Sequence, residues 1–459
     1  MAMSRKLPRP APAFASRAAR FAAGKALRQR VARSSHATWT PSKDRPDPVD
    51  LLERLDRSRV PRLLPIRYGR MASSPFAFLR GSAGVMAFDL AGTPVTGLRV
   101  QLCGDAHIAN FGVFATPERN RVFDVNDFDE TLPGPWEWDT KRLASSLVLA
   151  ARQNGFAKGD QRRAARAAVR SYRESMAAYA RMRYLDAWYA HIDLRNLSDR
   201  VPRPGRRELG RALKLARRRT GYHAFPKLAK PLRGRYRIRD NPPLIVHYRD
   251  PADARDSARF YAQYLTTLPP ERRLLLERYH LVDVAQKVVG IGSVGTVCSV
   301  LLLLADEDVS DPLFLQVKQA GASVLEPYAG ASVYENHAER VVVGQHLIQE
   351  ASDVFLGWGT LNANDFYVRQ LRDMKFVTDP STLGPKGLAG HGAICGAALA
   401  RAHARTGDPA QISGYLGDGS AFDAAVAEFA DAYSDQVERD HAELVRAIKK
   451  GRLPAESGV

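Results

Sequence analysis

Residues 290–295 read Gly-Ile-Gly-Ser-Val-Gly, and their flanks constrain the fold more than the glycines do. A glycine loop that binds a dinucleotide opens a helix. Here 282–289 before the loop is a valine-rich run of strand length, and 297–305 after it is β-branched and leucine-rich. The segment therefore reads as strand, glycine loop, strand, and not as a glycine loop that opens a dinucleotide-binding helix. A further strand-like run at 313–320 carries Leu315-Gln316-Val317-Lys318.

The rest of the chain is ordered around this β-rich middle. A helix is expected from 47 to 55, with Asp50 near its start. The stretch 68–81 reads as turn-punctuated and aromatic. Strands are expected at 85–90 and 97–102, and a hairpin over 111–114 and 121–125 around Pro117-Glu118-Arg119-Asn120. Helices follow over 139–153, 160–182 and 270–280. After the middle strands come a helix at 334–350, a strand at 366–371, a glycine-rich stretch at 384–396 and helices over 397–406 and 421–445. The fold class is α+β. No internal repeat is present. The division expected is a basic flexible arm (1–45), a helical catalytic region (46–281), a β-rich nucleotide-binding region (282–378) and C-terminal helices that complete the catalytic part (379–459).

Charge narrows the partners. The 459 residues carry a formal net charge of +19. It is concentrated in 1–45 and in 198–240, the latter including Arg217-Arg218-Arg219, Lys227, Lys230, Arg233 and Arg235. Such patches suit anionic partners such as a nucleotide, a phosphorylated metabolite, nucleic acid or an acidic surface, or else form a solvated basic face. The stretch 198–250 is broken by Pro and Gly, and no tight fold is expected of it. No apolar run has the length of a membrane span, and the N-terminus lacks the apolar core of a secretory signal. Cys103, Cys298 and Cys395 are scattered, without zinc-ligand spacing, which suits a reducing cytoplasm.

Chemistry concentrates in Gly104-Asp105-Ala106-His107-Ile108-Ala109-Asn110 and Asp127-Phe128-Asp129. A phosphoryl-transfer site needs a carboxylate to accept a hydroxyl proton and hard oxygen ligands for magnesium. Asp105 fits the first role. Asn110 and Asp127 fit the second, with Asp129 as a further ligand or an acceptor contact. The backbone of Gly290, Gly292, Ser293 and Gly295 would cover the phosphates, with Lys318 contacting them. Glu339, in the helix expected at 334–350, is the chosen partner of Lys318; Glu326, Glu335 and Glu350 compete for that role.

The Cys103–Asn110 and Val125–Asp129 segments resemble the catalytic half of aminoglycoside and choline kinases, whose pattern is His-Gly-Asp-x-His-x-x-Asn followed by Ile-Asp-Phe-x-Asp. Cys103 replaces the leading His. Gly134-Pro135-Trp136-Glu137-Trp138-Asp139 resembles that family's helix start, and the resemblance implies that Asp139 braces the catalytic loop. Gly290–Gly295 and Lys318 resemble the phosphate-covering loop and strand lysine of kinases. Leu399-Ala400-Arg401-Ala402-His403 resembles the helix that precedes the catalytic loop. The order is reversed relative to those kinases, so the resemblance implies a protein-kinase-like, two-lobed fold that is circularly permuted. The chain also resembles the bacterial family DUF2252 through Arg67-Tyr68-Gly69-Arg70-Met71, Ser74-Pro75-Phe76 and Asn126-Asp127-Phe128-Asp129-Glu130-Thr131. The function this implies is an ATP-dependent, Mg²⁺-requiring phosphotransferase acting on a hydroxyl of a small molecule or protein. A pseudokinase or nucleotidyl transferase using the same pocket, and a basic nucleic-acid-binding protein, stand as alternatives.

Overall fold

The computed structural model describes residues 15–193, 221–232, 235–248, 251–288, 290–306, 311–371 and 374–458. The Arg217–Arg218–Arg219 run and Arg233 lie outside them. The fold is mixed α+β, with a helical body at both ends of the chain and a six-stranded sheet from its middle.

The body is organised by two long helices, Trp136–Gln153 and Lys158–Tyr179, with two more from the chain's end, Pro385–Thr406 and Ala421–Lys449. The glycine-rich stretch expected to precede a helix is itself helical, as the first half of Pro385–Thr406. Packing explains why. A Cβ on Gly396 would lie 2.0 Å from the Ala168 carbonyl oxygen, and one on Gly392 would lie 3.0 Å from the Leu147 side chain. The glycines let two helix backbones touch, and that contact offsets a helical propensity cost of about 1 kcal/mol per glycine.

Sequence periodicity misplaces three other regions. The 85–90 run is a helix, Ala83–Ala91, because a short, wholly apolar run fits a buried helix as well as a buried strand. The 68–81 stretch forms helices Leu64–Met71 and Pro75–Gly81, the second capped by Ser74, whose Oγ accepts from the Ala77 N–H. From Ser16 onward, the arm expected to be flexible is anchored to the body. Helix Arg17–Ala26 packs on helix Pro409–Leu416 at reciprocal glycines, Gly24 against Gln411 and Gly414 against Phe21. Arg28 and Arg33 donate to the last-turn carbonyls of Gly414, Tyr415 and Leu416, where a helix end favours cations. Arg45 bridges Asp89 and Asp440.

The strands are β1 (Arg99–Leu102), β2 (Phe111–Ala115), β3 (Arg121–Val125), β4 (Leu132–Pro135), β5 (Ala229–Leu232), β6 (Arg235–Ile238), β7 (Ile245–His247), β8 (His280–Lys287), β9 (Cys298–Leu304), β10 (Pro312–Ala320), β11 (Gly357–Leu361) and β12 (Asn364–Gln370). The expected hairpin is β2–β3, and the strand runs expected around the glycine loop are β8, β9 and β10, which pair antiparallel in that order. The large sheet runs β11-β12-β10-β9-β8-β7. One face, with Leu301, Leu303, Leu315, Val317 and Phe366, packs on helix Pro251–Thr266 through Phe260 and Tyr264. The other carries Val300, Leu302 and Phe314 against Ala229 and Ile238, so the described part of the basic 198–250 stretch is a packed layer.

Among the described residues, two passages of the chain beside the sheet are bonded to β2–β3. Phe123 N–H donates to the Ile192 carbonyl. Val113 and Phe376 exchange both backbone bonds, at 2.7 and 2.8 Å. Among the described residues no helix is long and apolar enough to cross a membrane.

Candidate active site

The Asp105 loop leaves β1 through a turn that only glycine tolerates. Gly104 has φ +84°, and a Cβ there would lie 2.1 Å from the Glu130 carbonyl oxygen. The N–H groups of Cys103 and Gly104 donate to the two oxygens of Asp139 at 2.8 and 3.1 Å. Asp139 is buried in the first turn of Trp136–Gln153 and also meets His403 Nε2 at 3.2 Å, while His403 Nδ1 pairs with the Tyr172 hydroxyl. Asp139 thus braces the loop, and the His403 helix reaches it from the far end of the sequence.

Asp105 itself is held by Arg142, whose Nη2 donates to the Leu79 carbonyl at 2.9 Å. Burial raises the Asp105 pKa above the usual carboxylate range, against the opposing pull of Arg142 and Arg80. His107 Nε2 stands 3.7 Å from Asp105, and burial, reinforced by Arg80 and Arg142, holds that imidazole well below its ordinary pKa and therefore neutral. Asn110 Nδ2 donates to the Asp105 carbonyl at 2.8 Å, so its amide oxygen is the atom left to meet a cation.

The β2–β3 hairpin brings the metal candidates together. β2 starts just after Asn110 and β3 ends just before Asn126; Phe111 faces Val125, and Asn126 N–H donates to the Asn110 carbonyl. Asp127 follows at the same end of the hairpin. Asp129 accepts from Lys318 Nζ, from Ser293 Oγ at 3.1 Å and from the Tyr367 hydroxyl at 2.8 Å. Lys318 Nζ also lies 3.9 Å from Asp127. Cys298, Lys318 and Tyr367 stand opposite one another on β9, β10 and β12, so all three share the sheet face turned to the carboxylates.

The two carboxylates diverge electrostatically. Burial raises the Asp127 pKa, and the negative charge of Asp129 adds to it. For Asp129 burial pushes in the same direction, but Lys318, helped by Tyr367 and Arg369, overrides it and holds the carboxyl below its usual range. Lys318 is itself buried; desolvation alone would lower its pKa, yet Asp127 and Asp129 hold it above the ordinary lysine value. Arg369 donates to the Asn126 carbonyl at 3.2 Å and to Gln316 at 2.9 Å.

Glu339, the carboxylate expected beside Lys318, is not one of the two that pair with it. It lies in the first turn of helix His337–Ile348, where its N–H is capped by Asn336 at 2.9 Å, and the carboxylates around Lys318 are those of Asp127 and Asp129. The helix contributes Arg340 instead. That buried guanidinium donates to the carbonyls of Thr131, Asp129 and Gly321, fixing the backbone of the acidic turn.

The glycine loop is a short turn, Ile291–Ser293, between β8 and β9, and Gly295 has φ +95° with the Arg59 side chain close behind it. Its carbonyls face arginines. Arg67 donates to Ile291 at 2.9 Å and Gly292 at 3.4 Å, Arg59 donates to Val294 at 2.8 Å, and Val60 N–H donates to Gly295 at 2.7 Å. Arg67 is seated on Asp56 and also donates to Gly81. Sequence reasoning missed Arg142, Arg67, Arg59, Arg340 and Tyr367.

A small surface pocket lies behind the glycine loop, among Val60, Leu63, Leu244, Val246, Val288 and Val297. Its lining does not include the carboxylates, and the chemistry above is carried by the polar cluster. The oxygen donors of Asn110, Asp127 and Asp129 suit a hard cation such as Mg²⁺, which takes one or two carboxylates and completes its shell with water and phosphate oxygens.

No curated protein and no solved structure matches the chain. A family profile does, over residues 59–447, which include every candidate residue above. The chain belongs to the DUF2252 family, described as an uncharacterized protein conserved in bacteria.

Proposed function

We propose that the protein is an ATP-dependent, Mg²⁺-requiring phosphotransferase with a circularly permuted, kinase-like arrangement. The observation that carries this reading is the meeting of two motifs 189 positions apart, Lys318 from the strand after the glycine loop and Asp129 from the acidic turn, with Asp127 at 3.9 Å. A surface acidic hairpin and a solvent-facing strand lysine would have no reason to converge while buried.

In this reading Asp105 takes the proton of the acceptor hydroxyl, whose oxygen bonds to the γ-phosphorus as the bond to ADP breaks. Arg142 fixes the Asp105 carboxylate, and Asp139 fixes its backbone. Lys318 exchanges its contact with Asp129 for the nucleotide phosphates. Asn110, Asp127 and Asp129 would hold Mg²⁺, which neutralises phosphate charge when bound. Positioning and charge neutralisation carry most of the catalysis.

The test is to incubate the protein with Mg²⁺ and ATP labelled at the γ or the α phosphate, with bacterial extract supplying acceptors. Movement of γ label into an acceptor supports the proposal. Movement of α label would make the protein a nucleotidyl transferase. If neither moves and the melting temperature ignores Mg-ATP, the nucleotide site is refuted.

A further inference from the structure

Five arginines besides Arg59 converge around the site, and one differs from the rest. Arg67, Arg142, Arg340 and Arg369 each donate to carbonyl or carboxylate oxygens. The Arg80 guanidinium makes no hydrogen bond or ion pair with any described residue, and its Nε is buried without a partner. The guanidinium stands over the Phe76 ring, 5.8 Å from its centroid. An unsatisfied buried donor costs about 1–3 kcal/mol, and more when charged.

Its position is fixed from both sides. Arg80 is in the last turn of helix Pro75–Gly81. The carbonyl before it, Leu79, accepts from the Arg142 that holds Asp105; the carbonyl after it, Gly81, accepts from the Arg67 that holds the glycine loop. The Arg80 carbonyl oxygen lies 3.3 Å from where a Gly292 Cβ would stand. The residue therefore sits between the phosphate-covering loop and the candidate base. The charged groups that act on its guanidinium are the carboxylates of Asp105 and Asp379 and the Arg70 side chain.

We propose that Arg80 is an oxyanion-binding residue, its open guanidinium fork receiving a phosphate-type group between the glycine loop and Asp105. A planar fork with unused donors matches phosphate or carboxylate oxygens in pairs. Two sources supply that chemistry: the γ-phosphoryl group in transfer, or an acidic group on the acceptor. The assignment of those sources rests on the phosphotransferase reading; the anion site itself does not.

The experiment is calorimetric titration of inorganic phosphate into the full chain, alone, with Mg-ADP and with the non-hydrolysable Mg-AMPPNP. Wild type is expected to bind phosphate alone and with Mg-ADP, and Arg80→Met to bind it at least about tenfold more weakly, with Arg80→Lys between them because the charge remains and the fork is lost. Circular dichroism melts establish that each variant is folded. Phosphate excluded by AMPPNP but not by ADP places Arg80 at the γ position; phosphate retained with both places it at the acceptor. Wild type that binds no phosphate, or folded Arg80 variants that bind it as wild type does, overturns the proposal. Phosphate bound through Arg80 in a protein that binds neither nucleotide would keep the anion site and remove the phosphotransferase reading.

Discussion

Asp105 and Asp129 are both largely buried carboxylates held by a buried cation, but they are assembled differently. The partner of Asp105 is Arg142, 37 positions along the chain, on the helix that also supplies Asp139. The partner of Asp129 is Lys318, on a strand of the large sheet. The first half of the site is built within the helical body. The second exists only when sheet and body are docked. One pair therefore behaves as architecture, and the other is able to open and exchange partners.

The largest effect that would sharpen this contrast is on transfer. On the proposed assignment Asp127→Asn removes a metal ligand and keeps the Lys318–Asp129 contact, so γ-phosphoryl transfer should fall on the order of a thousandfold, about 4 kcal/mol of transition-state stabilisation. Its melting temperature should stay near wild type; full activity in that variant would mean the metal assignment is wrong.

The next tests concern stability. Arg142→Met strands a buried carboxylate and the Leu79 carbonyl together and should cost about 3–4 kcal/mol in denaturant unfolding. Lys318→Met leaves Asp129 its bonds to Tyr367 and Ser293 and some solvent, with 27% of its side chain exposed, so about 2 kcal/mol is expected. Equal losses would erase the distinction between a fixed and an exchangeable pair.

The smallest effect is on pH. Glu350, just past helix His337–Ile348, has its pKa pushed up from 4.5 to about 7, first by burial and then by Asp124, whose carboxylate accepts the Glu350 N–H. A raised acid pKa adds stability that is complete below pH 4.5 and lost as pH rises through 7. Wild type should therefore melt roughly 2–4 °C lower at pH 8 than at pH 5 by this group, and Glu350→Gln should flatten that slope. An unchanged slope in the variant would assign the pH dependence elsewhere.

What sequence could reveal follows from the range of each interaction. Gly104, Asp105, Asn110, Asp127 and Asp129 lie within one short stretch, and their types and spacing are themselves the signal. Strand–glycine loop–strand was legible because β-branched residues flank the glycines. Asp139 and Lys318 apart, the partners of those residues were not legible. With 68 Lys and Arg in the chain, nothing local distinguishes Arg67 or Arg340, which hold carbonyls hundreds of positions away, from a solvated cation. Choosing Glu339 for Lys318 assumed a helix carboxylate where this fold supplies two from the acidic turn. Glycines at 384–396 read as a break because their value lies in a neighbouring helix that periodicity cannot see.

The β2–β3 hairpin carries a last consequence. Its edges grip two passages of the chain beside the sheet, at Ile192 and Phe376, and its open end presents Asn110 and Asp127. Any displacement of either passage would therefore reach, through this one ribbon, the end that carries Asn110 and Asp127.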